Sequence, residues 1–187
     1  MNQLLDFNYL KKIAYDHPYY HGGLGSIRLK ITPYGPNEYA TINFYSKKHI
    51  PVMSKYVHTH PTNLYCEKLY GTYENIIYGW KPSKIETDWC IEEIECQAGT
   101  LPKLIHSNVS IYEKDIELLE DNMVHTDSDF HDINLITDNV ITKMVHKGFK
   151  VNAKIIRNKK INYTCGLSQR GEAQENWEII RKILNEL

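Results

Sequence analysis

Two histidines separated by a single residue, His58 and His60, are the feature of this sequence that most directly suggests metal chemistry. Alternate side chains of a β-strand point to the same side of the sheet, so both imidazoles could reach one ion if this segment is a strand. Pro61 follows the pair and indicates that such a strand would end there. The same spacing also occurs in half-exposed strand histidines that bind nothing, so the pair alone does not define a site.

A second group of histidines lies further along the chain, where His125 and His131 flank a polar turn. His131 opens the strand-like segment FHDINLI, and an imidazole from that strand would complete a three-histidine site. Such a site leaves coordination positions open for substrate or dioxygen, and in principle it suits Fe²⁺, Mn²⁺, Ni²⁺, Cu²⁺ or Zn²⁺. Three roles are open for His125: a fourth ligand, an acid or base acting on the substrate, or an ordinary loop histidine.

Length and composition place the chain among ordinary globular proteins. Its 187 residues are enough for one domain with a sizeable core. The net charge of −1 gives no basic excess, which argues against a nucleic-acid partner. The N-terminal residues do not have the pattern of a signal peptide, and no apolar run approaches the roughly 18 residues that a membrane span needs. We therefore expect a cytoplasmic protein that binds neither nucleic acid nor membrane.

The four cysteines form no CxxC pair and show no regular spacing. In a chain of this length without a secretion signal, such cysteines are typical of free thiols in a reducing compartment.

Short strand-like segments recur between about residues 25 and 165, separated by turn-forming residues. Many short strands with no helices between them favour an antiparallel sandwich or barrel. Apolar residues at helical spacing predict one helix over about residues 2–16 and another over about 171–187. The sequence thus predicts a single mainly β domain over residues 1–187, with a barrel core flanked by terminal helices.

Two segments, HTHPTNLYCEKLYGTYENIIYGW and DFHDINLITDNVITKMVH, resemble the cysteine dioxygenase-like branch of the cupins. In that branch an HxH pair is followed by a strand, a glycine turn and a strand ending in an aromatic residue, and Gly71 and Trp80 lie close to those positions here. The third ligand of the family lies on a strand whose successor carries another histidine fifteen residues later, which is the separation of His131 and His146. The resemblance covers about residues 55–150.

The resemblance implies a cupin-type double-stranded β-helix, or jelly-roll barrel, with N- and C-terminal α-helices. It implies a metal held by His58, His60 and His131, with His146 beside the ligands to orient them or a bound substrate. The ion it implies is Fe²⁺, with Mn²⁺, Ni²⁺ and Zn²⁺ as alternatives. The implied activity is that of an oxidoreductase, a dioxygenase that acts on a small molecule such as a thiol.

Several positions depart from the family's pattern. The family has Ser-x-His-x-Tyr around the later histidine, whereas Met144 and Gly148 flank His146 here. The family also places an arginine before the HxH pair to bind the substrate carboxylate, and in this chain Arg28 lies far upstream. Cys66 is similar to the family's thioether cysteine, but no crosslink is expected because the tyrosine is missing from position 148.

Two other classes of function are open at the level of sequence. A cupin isomerase, epimerase or lyase for a sugar or sugar phosphate would use the metal as a Lewis acid, with His125 or Glu67 as the base. A cupin that only binds a ligand would keep the histidines without chemistry. In the catalytic cases we expect His125 and His146 to act on a small-molecule substrate, in a monomer or a homodimer.

Overall fold

The computed structural model describes residues 2–21, 25–31, 38–50, 57–95, 102–126, 128–148, 152–160 and 173–187. Within these ranges the helices are α1 (Phe7–Ile13) and α2 (Ala173–Asn185), and a short 3-10 helix covers Gln3–Leu5. The strands are β1 (Tyr19–His21), β2 (Ser26–Ile31), β3 (Glu38–Ser46), β4 (Val57–His58), β5 (Asn63–Tyr70), β6 (Tyr73–Pro82), β7 (Trp89–Glu95), β8 (Lys103–His106), β9 (Val109–Leu118), β10 (Asn122–His125), β11 (Phe130–Leu135), β12 (Asn139–Lys147) and β13 (Asn152–Asn158).

The strands form two antiparallel sheets. Sheet A has six strands in the order β1-β2-β3-β12-β5-β10, and sheet B has seven in the order β8-β7-β13-β4-β11-β6-β9. The edge strands of sheet B, β8 and β9, are consecutive in the chain with only Ser107 and Asn108 between them, so sheet B must curl until its edges approach. The predicted mainly β, antiparallel class is confirmed, and the curled sheets are compatible with a sandwich or jelly roll.

Successive side chains of the strands in sheet A point to opposite faces, and one of these faces is apolar. Both helices cover the apolar face, where Leu10 of α1 and Ile180 and Ile183 of α2 are fully buried. The residues that they cover there are Ile27, Leu29, Ile31, Ala40, Ile42, Phe44 and Ile141. The opposite face packs towards sheet B and carries both polar side chains and a second apolar cluster, which contains Tyr45, Leu64, Cys66, Val140 and Met144. The two sheets therefore enclose the polar residues discussed below.

The terminal helices are shorter than predicted. In place of one helix over residues 2–16, the chain has the 3-10 helix and α1, because Asp6 between them is extended and its side chain accepts a hydrogen bond from the Tyr9 N–H at 2.7 Å. The C-terminal helix spans Ala173–Asn185, and residues 161–172, which include the end of the predicted barrel core, lie outside the described residues.

No helix in the described part of the chain is both long and apolar enough to cross a membrane. Cys66 and Cys90 are buried free thiols, as expected, whereas Cys96 and Cys165 lie outside the described ranges.

Candidate metal centre

The two candidate ligands His58 and His131 are brought together by strand pairing. Strands β4 and β11 are neighbours in sheet B, and His58 lies directly opposite His131 in the register. His60 follows two residues after His58, and the chain between them is held by a hydrogen bond from the Thr59 N–H to the Lys154 carbonyl at 2.8 Å. The extended backbone therefore places His58 and His60 on one side, facing His131, as the HxH spacing predicts.

The three imidazoles converge on one point. Each of His58, His60 and His131 offers a nitrogen, and these nitrogens all lie within 4.8 Å of one another. The ring centroids of His58 and His60 are 4.8 Å apart, and each of these rings is 4.7 Å from the ring of His131. The Nε2 atoms of His60 and His131 are only 2.6 Å apart.

Burial keeps the imidazoles of His60 and His131 neutral. The pKa values of His60 and His131 are well below their usual range, first because burial disfavours the charged ring and then because the neighbouring histidines repel added charge. A neutral imidazole presents a lone pair, which is the form that binds a metal. The group therefore fits a divalent transition metal, and imidazole ligands suit Fe, Zn, Cu or Ni.

Asn75 on β6 orients His131. Its Oδ1 atom accepts a hydrogen bond from Nδ1 of His131 at 2.5 Å, and its Nδ2 donates to Oε2 of Glu117 on β9 at 3.1 Å. Because the Nδ1 of His131 carries the proton, its Nε2 lone pair points towards His60. Metal-binding histidines in proteins are commonly fixed in this way by a partner on the other ring nitrogen. The role of Asn75 could not be predicted from the sequence, since it depends on strand register.

His125 lies beside the three histidines and not in a loop, so the interpretation of it as an ordinary loop residue is wrong. It is the last residue of β10, is buried, and its ring lies 4.9 Å from that of His131 and 6.3 Å from that of His60. Burial lowers the pKa of His125 to about 4, against a smaller opposing effect of Asp129. No nitrogen of His125 belongs to the converging set, because its Nε2 is 3.1 Å from the hydroxyl of Tyr73.

Tyr73 also contacts Cys66. The Sγ atom of Cys66 is 3.6 Å from the hydroxyl of Tyr73, so a phenol does lie beside this cysteine, supplied by β6 and not by position 148. Burial raises the pKa of the Cys66 thiol to about 11 and raises that of Tyr73 well above its usual value. Both groups are therefore protonated at neutral pH.

His146 lies in sheet A, on the face that packs towards sheet B. Its ring stacks on Tyr39 at 4.1 Å, its Nε2 is 3.3 Å from Oγ1 of Thr41, and its Nδ1 is 3.2 Å from Oγ1 of Thr62. Burial first and the charge of Arg28 second lower its pKa to about 3. Its contacts with the described residues are with this wall of the interior, so it lines the space between the sheets and is not one of the three converging imidazoles.

Sheet register relates His146 to His125. Both residues are paired with Leu64 of β5, on either side of it, so His125, Leu64 and His146 form one row across three strands. The two histidines named as catalytic candidates therefore face the same interior, with Leu64 between them.

Arg28 is a buried cation in this interior, which its position far upstream of the HxH pair did not reveal. It lies on β2, is 8% exposed, and its charge lowers the pKa of both His60 and His146. Among the described residues no carboxylate forms an ion pair with it. The Nε of Arg28 also lacks a hydrogen-bond partner, as do three neighbouring polar atoms of the same sheet: Ser26 Oγ, Asn43 Oδ1 and Thr142 Oγ1.

Glu67, the alternative base, lies away from the centre. Its neighbours Leu64 and Cys66 are buried, whereas Glu67 accepts a hydrogen bond from the ammonium of Lys143 at 2.9 Å in a half-exposed pair. Glu67 is therefore an ordinary strand residue.

No protein-family model matches this chain, and no curated protein matches it. Inferences about its chemistry therefore depend on the geometry of the site.

Proposed function

We propose that this protein binds one divalent metal through His58, His60 and His131 and acts as an Fe²⁺-dependent dioxygenase on a small anionic molecule, such as a thiol that carries a carboxylate. The observation that supports the metal is the convergence of three imidazoles, of which those of His60 and His131 are buried and neutral. Three neutral ligands leave the ion its full charge, and bound Fe²⁺ would lower the pKa of a substrate thiol and supply electrons to dioxygen.

The substrate class follows from Arg28. A buried charge without a partner is costly, because the guanidinium has lost its hydration and gained no counter-charge. A carboxylate would provide that counter-charge and can accept two parallel hydrogen bonds from a guanidinium. The orphaned atoms of Ser26, Asn43 and Thr142 supply further hydrogen-bonding capacity close to the same place.

His125 and His146 have separate roles in this proposal. His125 is neutral and lies next to His131, so it is placed to exchange a proton with a substrate held near the metal. His146 is held by Thr41 and Thr62 on the Arg28 side, so it would orient the anionic end of the substrate.

The proposal also includes a cytoplasmic location and a monomeric or homodimeric protein. The buried free thiols Cys66 and Cys90 are compatible with a reducing compartment.

A second candidate is a metal-dependent isomerase, epimerase or lyase for a sugar phosphate. The feature that favours it is the set of unpartnered hydroxyl and amide groups beside Arg28, which would suit a hydroxylated substrate with a phosphate. In that case the metal would polarise a carbonyl and dioxygen would take no part.

The test is metal analysis after anaerobic purification, combined with oxygen consumption. Wild type should contain one iron per chain, and the double variant His58→Ala/His60→Ala should contain none. The matched control is the same change at the exposed His17, which should keep the metal. Adding L-cysteine or 3-mercaptopropionate to the iron form should start oxygen uptake.

Oxygen-independent turnover of a sugar phosphate with zinc, nickel or manganese would favour the second candidate. If the wild type holds no metal, or if the double variant binds it as well as wild type does, the metal proposal is wrong.

A further inference from the structure

We infer that Tyr73 holds His125 away from the metal and thereby keeps one coordination position open for substrate. The inference rests on the proposed metal site at His58, His60 and His131, and it assigns to Tyr73 a positioning role that the sequence did not suggest.

His125 is close enough to become a ligand. Its ring lies 4.9 Å from that of His131, almost the same as the 4.7 Å that separates His131 from His58 and from His60. It is buried in the same interior, and burial keeps it neutral. An imidazole in this position would ordinarily compete for a divalent ion, because neutral histidine is the commonest metal ligand in proteins.

The hydrogen bond to Tyr73 removes Nε2 of His125 from that competition. The Tyr73 hydroxyl lies 3.1 Å from Nε2 of His125. If the hydroxyl donates, it occupies the Nε2 lone pair, and if the imidazole donates, Nε2 carries a proton and has no lone pair to offer. In either tautomer, Nε2 is unavailable while the bond persists.

Tyr73 is itself firmly fixed. It is the first residue of β6 and is completely buried, its ring lies 6.3 Å from that of Tyr45, and its hydroxyl lies 3.6 Å from Sγ of Cys66. A hydroxyl on a rigid, fully packed ring can hold its partner at a defined place, because moving the ring would open a cavity in the core.

The number of histidines that bind the ion determines which of two kinds of metal site forms. Three histidines leave an open position, which is typical of catalytic metal sites, whereas a fourth histidine would close the site, as in structural metal sites. Removing only the Tyr73 hydroxyl should therefore let His125 turn towards the ion and close it.

The experiment uses Co²⁺ as a probe, with affinity measured by chelator competition and coordination by visible absorption. Wild type should bind one Co²⁺ with the weaker absorption of an open site. Tyr73→Phe should bind Co²⁺ roughly tenfold more tightly and show the more intense absorption of a closed four-coordinate ion, where tenfold corresponds to about 1.4 kcal/mol. Tyr45→Phe is the matched control, since it makes the same change in the same buried cluster, and it should behave as wild type.

Two further variants keep the inference falsifiable even if Tyr73→Phe folds poorly. His125→Ala alone should leave the Co²⁺ affinity of the wild type unchanged, because His125 is not a ligand there. Tyr73→Phe/His125→Ala should lose the gain in affinity and the change in spectrum.

The inference is overturned if His125→Ala weakens binding in the wild-type background, if Tyr73→Phe has the spectrum and affinity of wild type, or if its gain persists without His125. Absence of Co²⁺ binding by wild type itself would instead remove the proposed metal site, which distinguishes the two failures.

Discussion

The side-chain oxygen of Asn75 lies 2.5 Å from Nδ1 of His131, and this contact decides which nitrogen of His131 faces the other histidines. Asn75 is in turn held by Glu117, which accepts a hydrogen bond from its amide nitrogen at 3.1 Å. The orientation of one candidate ligand thus depends on a chain of polar contacts across three strands of sheet B, β11, β6 and β9.

Asn75→Leu preserves the size of this side chain but removes the acceptor, so His131 can rotate or change tautomer. We expect the affinity for Fe²⁺ or Co²⁺ to fall about 10–100-fold, as is typical when the partner of a metal-binding histidine is removed. Chelator competition measures the affinity, and Asn134→Leu is the control, because Asn134 is an exposed amide on β11, the strand that carries His131. Equal affinities of Asn75→Leu and wild type would show that the hydrogen bond does not orient a ligand.

The parts of this site that could be predicted from sequence are those that follow from a local rule. His58 and His60 share a side because alternate residues of an extended chain do so, whatever the rest of the fold. The alternation of polar and apolar residues likewise predicted strands and the mainly β class. The finer cupin assignment is still a prediction, since no protein-family model matches the chain.

Residues brought to the site by sheet order could not be predicted. Arg28 reaches the interior because β2 is two strands from β12 in sheet A. Arg28 is far from the HxH pair along the chain, so the sequence does not indicate this proximity. The positions of Tyr73 and Asn75 in the site depend on the register between β6 and its neighbouring strands. The place of His125 in a strand could not be predicted because β10 has only four residues, too few for a periodic pattern.

Replacing Arg28 should improve stability and impair binding. Arg28→Met removes a buried cation that has no carboxylate partner among the described residues, so the free energy of unfolding of the ligand-free protein should rise by about 1–4 kcal/mol. The same variant should lose the thermal stabilisation that 3-mercaptopropionate gives to the metal-loaded wild type. Urea denaturation and thermal melting measure the two effects.

Lys182→Met on the exposed side of α2 is the control for Arg28→Met, and it should change neither quantity by more than about 0.5 kcal/mol. A loss of stability in Arg28→Met without any loss of ligand response would contradict the assignment of Arg28 to an anion site.

Two glycines with the same backbone conformation should differ in their tolerance of alanine. Gly71, in the turn between β5 and β6, has a φ of +70°, and an added Cβ would lie 2.1 Å from the backbone oxygen of Asn139. Gly148 has a φ of +69°, but a Cβ there would meet nothing within 4 Å among the described atoms. Gly148→Ala should therefore cost about 1–2 kcal/mol from the backbone conformation alone.

Gly71→Ala should cost clearly more than Gly148→Ala, because the backbone of Asn139 must also move. Urea denaturation of both variants measures the difference, and similar losses of stability would show that the contact with Asn139 is readily relieved.

The pH dependence of stability should report the burial of His146. Its pKa is about 3 in the folded protein, whereas an unfolded histidine titrates near 6.5, so between these values the unfolded chain binds a proton that the folded chain does not. Stability must then fall as the pH falls from 6.5 towards 3, by up to about 1.4 kcal/mol per pH unit from this residue.

His146→Gln removes the titrating ring, so the stability of this variant should decrease less steeply over the same range. Urea denaturation of the metal-free protein between pH 4 and pH 7 measures the slope, with His17→Gln at an exposed position as the control. A slope in His146→Gln equal to that of wild type would mean that the proton taken up on unfolding binds elsewhere.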